Sequence, residues 1–212
     1  MSQRYDEVVT TLSAKGTRLN RRGLETRDAV LRTAIRCLSE GGPESVSANR
    51  IAREAGVTWG TVQHQFGDVD GLWAAVLIAV SERSTTLIPA LEPAEDLGDR
   101  VEQLVRLVWD ALERPAVRAV HNLRRSLPRE RAALEAQFPR TAAALVAWDA
   151  SWDRDVRTAF LGFDVDRSRL RRVRTLLPGA VRGLHDEQYL SSYADILDAR
   201  RGLAEAIAGY LA

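Results

Sequence analysis

Residues Ser47–Leu72 read S-A-N-R-I-A-R-E-A-G-V-T-W-G-T-V-Q-H-Q-F-G-D-V-D-G-L. Two short helix-like runs meet there at Ala55-Gly56-Val57. Ile51 and Ala55 are one turn apart, Val57 fills the corner, and Val62 closes from the second run. Ala52 sits where the two helices cross, and a larger side chain would push them apart. Gly56 can take a positive φ at low cost. Small residues at a crossing and glycine at the corner are the pattern of a helix-turn-helix.

The second run then points Trp59, Thr61, Gln63, His64 and Gln65 outward. A helix of that size fits the DNA major groove, with its N-terminal residues toward base edges. Gln both donates and accepts, which suits adenine. Thr and Trp offer apolar contact to thymine methyls, and Gly60 lets the backbone approach closely. Ser47 and Thr58 are placed as caps, and the helix starts they mark suit phosphates. The competing reading is an ordinary helical corner with a polar outer face.

The rest of the chain supports helices throughout. In 212 residues there are only 7 Pro and 14 Gly, 45% are hydrophobic and 28% are charged. That balance excludes disorder and allows a sizeable all-α core. The one cysteine, Cys37, lies in an apolar helical pattern, so a buried structural thiol is expected, and no internal disulfide is possible. The polar N-terminus has no apolar signal-like stretch, and no run of about 18 apolar residues occurs. The expected location is the cytoplasm, with no membrane contact. Charge is uneven: from Lys15 to Arg36 seven basic residues face two acids, although the net charge is only +1. A basic head on a mildly acidic body fits a polyanion-binding module joined to another part.

Helical spacing predicts a first helix from roughly Leu24 to Glu40, with Val30, Leu31, Ala34, Ile35 and Leu38 on one face and a stop at Gly41-Gly42-Pro43. A second is expected from Ser47 to about Ala55, a third from Trp59 to about Phe66, and a fourth capped by Asp68. Residues 1–21 read as a flexible basic arm, 22–67 as the helix-turn-helix domain and 68–212 as a second domain. Pro89 and Pro93 bracket an acidic boundary. Further helices follow at about 97–112, from Pro115 to about Ser126, and from Pro128 to about Gly162 with a kink or a break at Pro139. A helix capped by Asp166 carries Pro178 in its interior, which should bend it. The last runs from about Ser192 to Leu211 and includes Tyr193. The total is about nine.

The order of elements around the corner resembles the tetracycline-repressor (TetR) family of transcriptional regulators. The matching strings are T-R-D-A-V-L-R-T-A at Thr26–Ala34, E-G-G at Glu40–Gly42, I-A-R-E-A-G-V-T at Ile51–Thr58, G-T-V at Gly60–Val62, and Phe66 followed by Leu72. The resemblance covers Arg22 to Leu77, about a quarter of the chain. It implies three helices leading into a long fourth, then a helical domain that binds a small ligand and dimerises. It implies DNA contact by Ser47, Ala48 and Asn49, base reading by Trp59, Gly60, Thr61 and Gln63, and backbone contact by His64 and Gln65. The family usually has Tyr at the position of Gln63 and Lys at that of Val69, and both usual residues touch phosphate. Losing that Lys should flatten the slope of log K against log salt by ~0.9 per subunit. Arg18, Arg21, Arg22 and Arg27 are placed to compensate by following the backbone or entering a minor groove; a solvated tail is the other reading. The expected function is a repressor that binds a palindromic operator on double-stranded DNA as a homodimer and is released by a small molecule. A helical dimer that has lost DNA binding is the alternative.

Beyond residue 90 the sequence says less. Trp109, Trp148 and Trp152 are candidate pocket walls, or simply core. His121 and Arg124, with Asn122 and Arg125, form a polar cluster before Pro128 that could orient an acidic or carbonyl-bearing ligand, or lie on a solvated face. The stripes Val173–Leu184 and Tyr193–Leu211 are broader than a monomer would expose, so the last two helices are expected to form the homodimer contact. His64, His121 and His185 have no metal-ligand spacing, and no nucleotide-binding glycine motif occurs. No metal, no cofactor and no enzymatic activity are therefore expected.

Overall fold

A computed structural model describes residues 12–14, 16–41, 47–83, 91–190 and 195–212. Gly42, Pro43, Pro89, Ser192 and Tyr193 lie outside the described residues, as do residues 1–11 and Lys15. The described chain is all-helical apart from an isolated antiparallel bridge between Leu12 and Arg18. Ten helices follow in order among the described residues: α1 Arg21–Glu40, α2 Ala48–Glu54, α3 Trp59–Phe66, α4 Val69–Arg83, α5 Leu97–Glu113, α6 Pro115–Ser126, α7 Arg131–Gln137, α8 Pro139–Ala159, α9 Arg167–Leu190 and α10 Ile196–Leu211. Pro139 divides the stretch from 128 to 162 into α7 and α8, which brings the expected nine to ten. None of these helices is long and apolar enough to cross a membrane.

Local sequence sets most of the boundaries. Asn20 caps α1 by accepting from the Gly23 N–H at 2.8 Å, so this helix starts three residues before Leu24. Ser47, Thr58, Asp96 and Asp195 each cap the helix that follows. Asp68 accepts from Gly71 and Asp166 from Arg169, as their positions predict. Gly56 turns the α2–α3 corner at φ +70°, and Gly67 separates α3 from α4 at φ +89°; both values favour glycine.

The chain folds as two compact units. The first holds the described part of Met1–Ser84 with Pro115–Trp148, and the second holds the described part of Thr85–Arg114 with Asp149–Ala212. This grouping by packing is a different cut from the chain-order division at 67/68. In the first unit Val30, Ala34, Leu38, Ile51, Val62, Leu72, Val76 and Leu123 make one apolar core, and α1 packs broadly along α6. The same pairing lets Asn122 donate to the carbonyls of Leu38 (2.7 Å) and Gly41 (3.1 Å) at the end of α1. In the second unit α5, α9 and α10 pack together around Val101, Leu104, Leu177, Val181 and Ile207.

Pro178 stands inside α9. It lacks the N–H that would otherwise bond the carbonyl of Arg174, four residues back. Trp152 of α8 supplies the substitute: its indole N–H donates to that carbonyl at 2.8 Å.

Candidate nucleic-acid interface

The eight residues of α3 divide into two faces. Val62, Gln65 and Phe66 are buried, whereas Gly60, Gln63 and His64 are exposed. Trp59 and Thr61 are half-buried, and part of Trp59 rests on the core of the first unit. At the N-terminal end Thr58 accepts from the Thr61 N–H at 3.2 Å, and the two hydroxyls lie 3.1 Å apart. The polar groups of the first turn are therefore fixed before any ligand arrives. A Cβ added at Gly60 would meet only Thr58 Oγ1, at 3.7 Å, which is ordinary contact. Packing within the chain does not demand glycine there, and the open backbone is available to something outside.

Around this flank, Ser47 accepts from the Arg50 N–H at 3.3 Å, Ala48 leans on the core and Asn49 is exposed. Arg18, Arg21 and Arg22 are exposed as well. Much of the basic surplus is countered locally. Arg21 pairs with Glu25, Arg32 with Asp28, and Arg36 with both Glu40 and Glu54. Those last two acids follow the Lys15–Arg36 window, which is why the sequence count overstated the charge. Glu54 also accepts from Arg50 and from the Cys37 thiol, and these hydrogen bonds hold it down at about 2. Burial, with Glu54 beside it, pushes the Cys37 thiol up to about 11.

Two sequence assignments are corrected. Gln65 does not point outward: it is 4% exposed, and its amide donates to the Gly23 carbonyl at 3.2 Å. The reason is helical period, because Val62, Gln65 and Phe66 share one face of α3. Arg27 is not part of a loose arm. It is half-buried, lies 4.3 Å over the Phe66 ring and donates to the Gln65 carbonyl at 2.7 Å. Burial pulls its guanidinium below the ordinary arginine value. The described part of the arm is also seated. Ser13 is buried, the turn from Ser13 to Thr17 is closed by backbone bonds, and the Ala14 N–H donates to the His64 carbonyl at 3.2 Å.

The candidate ligand residues divide between the units. His121 and Arg124 are half-buried on α6, and Trp148 packs against the core of the first unit. Trp109 and Trp152 belong to the second. Trp109 is buried, with the His185 ring 5.2 Å away and the Arg200 guanidinium 4.5 Å over its face. His185 in turn meets Glu113 at 2.9 Å. The sequence reading considered His185 only as a metal ligand. Its place on the apolar side of α9, one turn from Val181, was the signal for burial. Among the described residues no group of three or more His, Cys, Asp or Glu is placed to hold a metal ion.

Among the described residues the chain is helical, with a capped, half-exposed helix at an N-terminal helix-turn-helix, an arrangement that DNA-binding helix-turn-helix domains share. Comparison with known proteins narrows it. Residues 30–76 match the family model described as bacterial regulatory proteins, tetR family. Its fold is similar to a crystal structure from Rhodococcus sp. described as a TetR-family transcriptional regulator, at 24% identity and TM-score 0.61, over 89% of this chain and 99% of that one. It is also similar to the multidrug binding protein EbrR, solved with imidazole, at 22% identity and TM-score 0.61, over 93% and 96%. A third similar structure, the superantigen PfiT, has 21% identity and TM-score 0.55, over 88% and 95%. At these identities the likeness is one of fold. No curated protein matches by sequence.

Proposed function

We propose that this protein is a ligand-responsive transcriptional repressor of the cytoplasm, which binds a palindromic operator as a homodimer and leaves it when a small molecule binds. The observation that carries the reading is the two-faced α3. Its inner side is locked by Val62, Gln65 and Phe66, while Gly60, Gln63 and His64 stand clear with the Thr58-capped end beside them. Thr61 and Gln63 read bases, with Trp59 against a thymine methyl. Ser47, Asn49, Thr58 and His64, with Arg18, Arg21 and Arg22, hold the phosphates.

The dimer is assigned to α9 and α10, which leave Leu176, Tyr189 and Leu197 57%, 71% and 71% exposed. Apolar side chains that open suit a second copy. The small molecule is assigned to the helices after α4, with Trp109 and the His121–Arg124 region as the first candidates to change.

The test is a gel-shift series on duplexes from upstream of the protein's own gene, with light scattering on the free protein. The expected results are a retarded complex and a mass twice the 23.5 kDa of one chain. Retention of no duplex even at low salt would overturn the reading in favour of a dimer that has lost DNA binding.

A further inference from the structure

A short helix leaves its last four carbonyls without partners of its own. In α3 these belong to Gln63, His64, Gln65 and Phe66. The Gly67 N–H takes the first at 2.8 Å, and that partner is local. The others are taken by distant parts of the chain. Ala14 donates to His64 at 3.2 Å, Arg27 to Gln65 at 2.7 Å, and Arg140 to Phe66 at 3.2 Å. Two of the three are guanidinium groups set against the negative end of the helix dipole.

Arg140 does more than cap. It lies in the first turn of α8, and the same side chain donates to Asp68 and, through Nε at 3.2 Å, to Asp70. Asp70 is buried in the first turn of α4. It accepts the backbone N–H groups of Arg140 at 3.0 Å and of Thr141 at 2.8 Å, and its own carbonyl accepts from the Thr141 hydroxyl at 3.1 Å. One arginine thus ties the end of α3, the Asp68 corner and the start of α4 to α8. The fit is tight: a Cβ on Gly71 would stand 2.0 Å from the Phe66 carbonyl oxygen and 2.6 Å from Arg140 Nη1.

We infer that Arg140, far outside the helix-turn-helix in sequence, is a positioning residue for DNA recognition, holding the Phe66 carbonyl and so fixing the rotation of α3 against α4. This rests on the DNA-binding reading. Arg140 touches no base in this role. It sets how well Thr61 and Gln63 meet theirs, and so governs sequence discrimination more than general attraction to DNA.

Arg140→Lys is the informative change. Lysine keeps the charge beside Asp70 but lacks the planar fork that reaches Phe66, Asp68 and Asp70 together. Thr141→Val is the control, because it weakens the same junction without touching the Phe66 carbonyl. The probes are a duplex enriched by the wild-type protein from a random-sequence pool and a scrambled duplex of equal length. For Arg140→Lys the expected result is about a tenfold loss on the enriched duplex with little change on the scrambled one, together with faster amide exchange confined to residues 59–67. Thr141→Val should lower the melting temperature and leave the ratio of the two affinities intact. Equal losses on both duplexes, or the same altered ratio in the control, would reduce Arg140 to a stabilising residue and overturn the inference. If the wild type retains no duplex, the DNA-binding reading fails separately. Exchange at 59–67 then still decides whether Arg140 positions α3, and unchanged exchange refutes it.

Discussion

The two compact units repair interrupted backbone in different ways. The first contains the short helices α2, α3 and α7, and it closes many of its helix ends with charged or amide side chains: Asn20, Asn122, Arg27, Asp70 and Arg140. The second has longer helices, whose starts are capped locally by Asp96, Asp166 and Asp195, and the break in α9 is internal, at Pro178, where an aromatic N–H from Trp152 fills the gap. The difference follows from helix length. An eight-residue helix has too few intrahelical bonds to hold its own direction, so a helix of that size depends on ties at its ends. A helix of 24 residues tolerates one missing bond if the stranded carbonyl finds another donor.

Substitutions can break or sharpen that contrast. Gly71→Ala should have the largest effect, because its Cβ would collide with backbone and with Arg140; the expected loss is about 3 kcal/mol, read by chemical denaturation. A mild effect would mean that the start of α4 can slide and that the end ties are loose. Asp70→Asn should remove about 2–3 kcal/mol, since buried donors from α8 would lose their charged acceptor. Its pH dependence can be signed. Burial alone would raise the Asp70 pKa, but the hydrogen bonds from Thr141 and Arg140 outweigh it and hold the carboxyl below its ordinary 3.8. Its stabilisation should therefore be complete above that value and lost as the pH falls below it. The Asn variant should lack that part of the acid slope.

Trp152→Phe tests the second unit. It keeps most of the apolar surface but removes the donor to the Arg174 carbonyl, and a loss of about 1–2 kcal/mol is expected. If Pro178→Ala, which restores an intrahelical donor, abolishes the effect of Trp152→Phe, the repair assigned to the indole is confirmed. No interaction between the two changes would refute it. Thr58→Ala should cost about 1 kcal/mol through the lost cap. Least affected by any probe should be Cys37: burial beside Glu54 places its thiol at about 11, so neutral-pH labelling of the native protein should be slow. Fast labelling would show that the core near α1 opens readily.

What the sequence disclosed follows the reach of each interaction. Caps act over three residues, so Ser47, Thr58, Asp68 and Asp166 were legible, and the limits of α3 and α6 agree with the spacing. Asn20 carried the same signal and was passed over, which placed the start of α1 too late. Gln65 and Arg27 were misread by residue type, although period placed both correctly. Gln65 falls three positions after Val62, and Arg27 falls three and four before Val30 and Leu31. Both long polar side chains cross a buried strip to reach a carbonyl on the neighbouring helix. Arg140 gave no such signal, since its partners lie 70 or more positions away. Trp152 likewise gave no sign of its bond, because nothing near it in sequence names the Arg174 carbonyl.

The capture of Leu38, Gly41 and Phe66 carbonyls by Asn122 and Arg140 bears on protein engineering. Grafting only the first 83 residues onto a foreign sensor would leave those three oxygens bare at the seam. A transferable helix-turn-helix domain would need to carry the insert from 115 to 148 as well, or have donors redesigned into its new host.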